Sequence, residues 1–102
     1  EFSIEETHHH SKVDQPSGTA LEWQKHITLK PPITSIRQGD VFGEHCLKIE
    51  SDFETIALKH CTKDRKLFAA GALWCAKQLV SMSGEVGLYS LEELVHASIR
   101  KE

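Results

Sequence analysis

Phe2 and Ile4 alternate with polar positions over the first seven residues, a period of two that predicts a short β-strand with one buried face. Three consecutive histidines, His8, His9 and His10, stand at its carboxyl end. Asp14, Pro16, Ser17 and Gly18 then make a dense turn signal, after which Ala20, Leu21, Trp23, Gln24 and Ile27 recur at helical spacing. This predicts a helix over residues 18–27. Thr19 and Glu22 have the spacing of a capping box, and Ser17 is a second candidate for the cap. Lys30-Pro31-Pro32 stops the helix, because a residue before proline is pushed out of the helical region into an extended exit.

Residues 33–38 predict a strand, Gly39-Asp40 a tight turn, and residues 41–50 a longer strand with Val41, His45, Leu47 and Ile49 on one face. Ser51-Asp52 turns the chain into a further strand over residues 53–60, completing an antiparallel meander. Residues 66–80, with Leu67, Phe68, Leu73, Trp74, Leu79 and Val80, are apolar almost all round, as in a helix buried against a sheet. Gly84 and Gly87 are placed to end it. Ser90 and Glu93 frame a capping box for a last short helix containing Leu91, Leu94, Val95 and Ile99. The elements make an α+β domain, with one mixed, mostly antiparallel sheet of about four strands and helices on one face. Phe42, Cys46, Ile56 and Leu58 would leave apolar groups on the other face, so burial against a second copy is expected.

Composition narrows the class. A chain of 102 residues fits one domain, and its 39% hydrophobic and 26% charged content is that of a folded globular protein. The formal net charge of -3 leaves no broad basic field, so nucleic acid is not an expected partner. Cys46, Cys61 and Cys75 lie far apart, which points to neither a disulfide framework nor a zinc ribbon, and they are expected to be small buried hydrophobes in a reducing cytoplasm. No apolar run is long enough to cross a bilayer, and no export signal opens the chain, so no membrane association is expected. Because the sequence begins within a strand pattern, an upstream portion is expected to have been removed.

The segment richest in chemistry runs from His8 to Thr19. Free histidine titrates near pH 6.5, which suits it to acid or base work. Neighbouring histidines on a strand point to opposite faces and cannot all ligate one ion, so no metal site is expected. Lys12 stands four residues after His8, close enough for both to reach one pocket. The N–H groups of Gly18 and Thr19, with the hydroxyls of Ser17 and Thr19, would form an anion cradle at a helix start. On spacing alone, a turn and cap with no ligand is an equally good reading of Pro16, Ser17 and Gly18.

His8-His9-His10-Ser11-Lys12-Val13-Asp14-Gln15-Pro16-Ser17-Gly18-Thr19-Ala20 is similar, nearly residue for residue, to the signature H-H-x-x-K-x-D-x-P-S-G-T-A of the dihydrodipicolinate reductases. The segment from Ser35 to His45 resembles the family's S-x-R-x-G-x-x-x-G-E-H stretch. His60, Arg65, Phe68-Ala69 and Gly71-Ala72 resemble a further run, and Gly87-Leu88-Tyr89 its close. The resemblance implies the substrate-binding and oligomerising C-terminal domain, here residues 1–102, of an enzyme that reduces a cyclic unsaturated dicarboxylate with NADPH or NADH. It further implies His8 as the acid/base histidine and Lys12 as proton donor to the substrate. His9, Ser17, Gly18, Thr19 and Arg65 would bind the two carboxylates, and the assembly would be a homotetramer. His45 is expected to be structural or interfacial, and Trp23 and Trp74 to be core or interface anchors. No G-x-G-x-x-G occurs, so the nucleotide-binding domain is expected outside this chain. A purely oligomerising domain and a histidine-based metal protein are the alternatives.

Overall fold

The computed structural model describes residues 1–82 and 86–100. It divides into two compact units, Glu1–Asp64 and Arg65–Glu102. Together they hold a four-stranded mixed sheet and three helices, the expected α+β class.

The first unit contains β1 (Phe2–His8), α1 (Gly18–Lys25), β2 (Ile33–Arg37), β3 (Glu44–Glu50) and β4 (Thr55–Cys61), with the sheet in the order β2-β1-β3-β4. β1 and β2 are parallel, while β1–β3 and β3–β4 are antiparallel. The meander expected from residues 33–60 is therefore only partly formed. β3 and β4 are a hairpin, but β2 does not pair with β3. Parallel neighbours need a long crossover, and the segment carrying α1 supplies it. β2 and β3 flank β1, so their connection must cross two strand spacings, roughly 10 Å, which a two-residue turn at Gly39-Asp40 does not reach. Residues 38–43 make the crossing at the carboxyl end of β1, where Gln38 N–H donates to His8 O and His10 N–H to Gly39 O.

That crossing also takes Val41 and Phe42 out of β3. Register places Ile56 and Leu58 opposite Ile49 and Leu47, on one face, whereas Cys46 lies opposite Lys59 on the other. The expected apolar grouping of Phe42, Cys46, Ile56 and Leu58 on a single face is thus corrected by the pleat. Cys61 is exposed and Cys46 and Cys75 only half-buried, so the cysteines are not core residues.

Ser17, not Thr19, caps α1: its Oγ accepts the Ala20 N–H at 3.2 Å. α1 packs on β1, and its Ala20 is buried. After it, Gln24 Nε2 donates to Pro31 O at 2.8 Å and anchors the exit through the prolines. In the second unit, described by itself, α2 (Lys66–Ser81) has no buried residue. It ends with Met82 in an extended conformation; the expected stop at Gly84 lies outside the described residues. α3 (Leu91–Arg100) contacts α2, buries Leu94, and starts at the expected Ser90 cap, whose Oγ accepts the Glu93 N–H at 3.1 Å.

Candidate active site

Sheet register sorts one face into rows. Ile33, Ile4, Leu47 and Leu58 form an apolar row, followed by Ser35, Glu6, His45 and His60, and then by Arg37 beside His8. The face thus changes from apolar to proton-bearing toward the carboxyl end of β1. The centre is Glu6, whose side chain is 0% exposed. Its Oε1 lies 2.6 Å from His8 Nδ1 and accepts from Arg37 Nη1 at 2.7 Å. Its Oε2 accepts from Arg37 Nη2 at 3.0 Å and from the Ser17 N–H at 2.9 Å. Burial alone would raise the Glu6 pKa, but bonds from Arg37, Ser35, His8 and Ser17 outweigh it and hold the carboxyl down at about 2.

Buried His45 stands next in the cluster, with Nε2 at 2.9 Å from Ser17 Oγ. Its ring centroid is 5.1 Å from that of His8 and 5.6 Å from that of Trp23. Burial pushes its pKa below the usual histidine value, the charges of His8, His60 and Lys12 add to this, and Glu6 opposes it. A neutral imidazole fits the hydrogen bonds: Ser17 Oγ accepts from the Ala20 N–H, which leaves the hydroxyl proton for His45 Nε2.

His8 and Ser17 are therefore tied together through Glu6, but Ser17 has its own polar groups engaged internally. Gly18 and Thr19 are exposed at the first turn of α1, where N–H groups have no carbonyl partner within the helix. Lys12 lies on the turn after β1, its Nζ 3.0 Å from Asp14 Oδ1. That hydrogen bond is the main cause holding the Asp14 carboxyl below its ordinary value. Arg37 Nη2 also donates to Asp14 O at 2.6 Å, joining this turn to the Glu6 network. His9 is half-exposed, with its carbonyl accepting the Lys12 N–H at 3.1 Å. Arg65 belongs to the second unit, at the N-cap position of α2.

Three members of the cluster were not singled out by sequence as part of the site: Glu6, Arg37 and His45. The available signal was the strand period, which puts Glu6 and His8 two residues apart on one face. Among the described residues, no group of three or more His, Cys, Asp or Glu side chains is placed to hold a metal ion. None of the six glycines forms a G-x-G-x-x-G turn, so this chain's residues do not fit a dinucleotide cradle.

Fold and cluster together define an α+β domain in which one buried carboxylate ties the His8 imidazole to the start of a helix. The chain belongs to the family described as dihydrodipicolinate reductase, C-terminus, whose family model matches residues 1–95. It is 35% identical over 99% of its length to a 4-hydroxy-tetrahydrodipicolinate reductase of Bdellovibrio bacteriovorus, and 39% identical over 90% to one of Xanthomonas axonopodis pv. citri. It spans 45% and 39% of the lengths of these two relatives. Among solved structures, dipicolinate-bound dihydrodipicolinate reductase from Paenisporosarcina sp. TG-14 has the same fold, with a TM-score of 0.69 and 21% identity. That likeness covers 83% of this chain and 42% of the other.

Proposed function

We propose that this chain is the substrate-facing, C-terminal domain of a 4-hydroxy-tetrahydrodipicolinate reductase. The observation that carries the reading is His8 seated on a buried carboxylate at the carboxyl end of β1, within a chain matched by the family over residues 1–95. The whole enzyme would reduce the cyclic dihydrodipicolinate precursor to tetrahydrodipicolinate, on the route to diaminopimelate and lysine. NADPH or NADH, bound by an N-terminal domain outside this chain, supplies the hydride.

The residues here would do the rest. Hydride addition to a conjugated imine builds negative charge on the substrate, which a nearby cation and a proton donor stabilise. Lys12 is the proton donor in this reading, once its ammonium exchanges Asp14 for the substrate, and His8 is the acid/base group beside it. Gly18 and Thr19 offer exposed helix-start N–H groups to one carboxylate, and the Thr19 hydroxyl and His9 add polar contacts. Ser17 acts by fixing that helix start, while Arg65 would supply a bidentate guanidinium to a carboxylate. Dipicolinate, named with the solved relative, is a planar dicarboxylate of the kind such a site would take.

The assembly proposed is a homotetramer through the sheet, supported by β4, which is exposed along its whole length and carries Ile56 at 52% and Leu58 at 66% exposure. A cytoplasmic setting is proposed from the biosynthetic reaction. No helix among the described residues is long and apolar enough to cross a membrane.

The test is nucleotide oxidation by the full-length protein with the dihydrodipicolinate precursor. Wild type is expected to turn over only with that substrate present, and His8→Gln or Lys12→Met to lose about 10²–10⁴-fold in kcat. An unchanged rate in the doubly substituted enzyme would overturn the assignment.

A further inference from the structure

We infer that Glu6 is a positioning residue, fixing His8 in one tautomer and holding the first turn of α1 in the same network, so both halves of the proposed site depend on one buried carboxylate. The inference rests on the reductase reading above and adds a residue to it.

An ionised carboxylate only accepts hydrogen bonds. The 2.6 Å contact between Glu6 Oε1 and His8 Nδ1 therefore requires the proton on Nδ1. Neutral His8 then presents a lone pair at Nε2, and charged His8 presents Nε2–H, so the same atom serves as base and as acid. Nε2 lies on the Gly43 side of the ring, where a Cβ built on Gly43 would stand 3.2 Å away. Arg37 keeps the carboxylate ionised with two bonds of 2.7 and 3.0 Å. Oε2 also receives the Ser17 N–H at 2.9 Å, which orients the helix start beside Gly18 and Thr19. No substrate atom need touch Glu6, since its side chain is wholly buried.

Glu6→Gln retains the shape but turns one acceptor oxygen into a donor, which faces Arg37 in either amide orientation, together with His8 Nδ1 in one and the Ser17 N–H in the other. In the full-length enzyme, kcat is expected to fall about 10²-fold or more, as when an imidazole takes the wrong tautomer. KM for the nucleotide should stay within about twofold, because the nucleotide is bound elsewhere. Glu6→Asp, which keeps the charge one methylene short, should recover part of the rate. A folded Glu6→Gln enzyme with wild-type kcat overturns the inference. The second measurement needs no variant: ¹⁵N-histidine NMR of the wild-type protein, at a pH where His8 is neutral, should show the Nδ1–H tautomer. An Nε2–H tautomer overturns the inference, and decides alone should Glu6→Gln fail to fold. A wild-type protein inert toward the dihydrodipicolinate precursor defeats the reductase reading instead, while the tautomer is still read in that protein.

Discussion

At the residue scale, the site depends on a side chain that is missing. Gly43 is buried on the crossing between β2 and β3, and a methyl there would lie 3.2 Å from His8 Nε2 and 3.9 Å from Thr62 Oγ1. Gly43→Ala would therefore strain the backbone, whose φ of 157° favours glycine, and press on the imidazole, which must give by a few tenths of an ångström. Displacements of about 1 Å at a reacting group cost about 10²-fold, so a loss of about tenfold in kcat is expected. Steady-state kinetics beside a thermal melt check this: a variant with normal kcat would show that Nε2 is not the reacting atom. The residue types between His8 and Thr19 were legible in sequence because they form a long, ordered motif. The part played by Glu6 was not. The strand period alone puts Glu6, and not Glu5, on the face of Ile4 and His8; what it does not encode is the neighbours that register sets around Glu6, namely Ser35 and His45.

At the scale of elements, the junction between β1 and α1 carries the site, and Ser17 is its clasp. One residue caps the helix, donates its N–H to Glu6 and bonds His45. Ser17→Ala removes the cap, typically about 1 kcal/mol, and leaves the buried His45 nitrogen without its partner, roughly 1 kcal/mol more. A loss of about 2 kcal/mol in urea unfolding is expected, and a loss under about 0.5 kcal/mol would mean that the clasp holds nothing. The sequence marked this helix start well but offered two caps, and the structure selects Ser17 over Thr19. Strand placement was less legible. Hydrophobic alternation located β2, yet pairing is decided by connection length and crossover geometry, which a pattern of alternating residues does not encode. The turn expected at Gly39-Asp40 is present but closes no hairpin, and the crossing it belongs to brings Gly43 over His8.

For the whole molecule, the largest completely buried side chains are Ile4, Glu6 and Pro31, so an ionised group sits where a small domain would ordinarily place hydrocarbon. Its stability must then follow its protonation. Glu6 titrates at about 2 in the folded chain against an ordinary 4.5, so the folded state binds its proton more weakly than the unfolded chain. The stabilisation is complete above pH 4.5 and is lost as the pH falls toward 2. It amounts to something on the order of 3 kcal/mol, a large share of the ~5–15 kcal/mol that holds a domain together. His45 acts in the same direction from a higher starting point. Burial lowers its pKa below 6.5, so the unfolded chain takes up that proton first and stability begins to decline as the pH drops through 6.5. The urea midpoint is accordingly expected to fall continuously from neutral pH, more steeply below pH 4.5, where protonation also releases the Arg37 guanidinium from its carboxylate partner. A midpoint that stays level between pH 7 and 3 would contradict a buried, ionised Glu6, and with it the network that joins His8 to the start of α1.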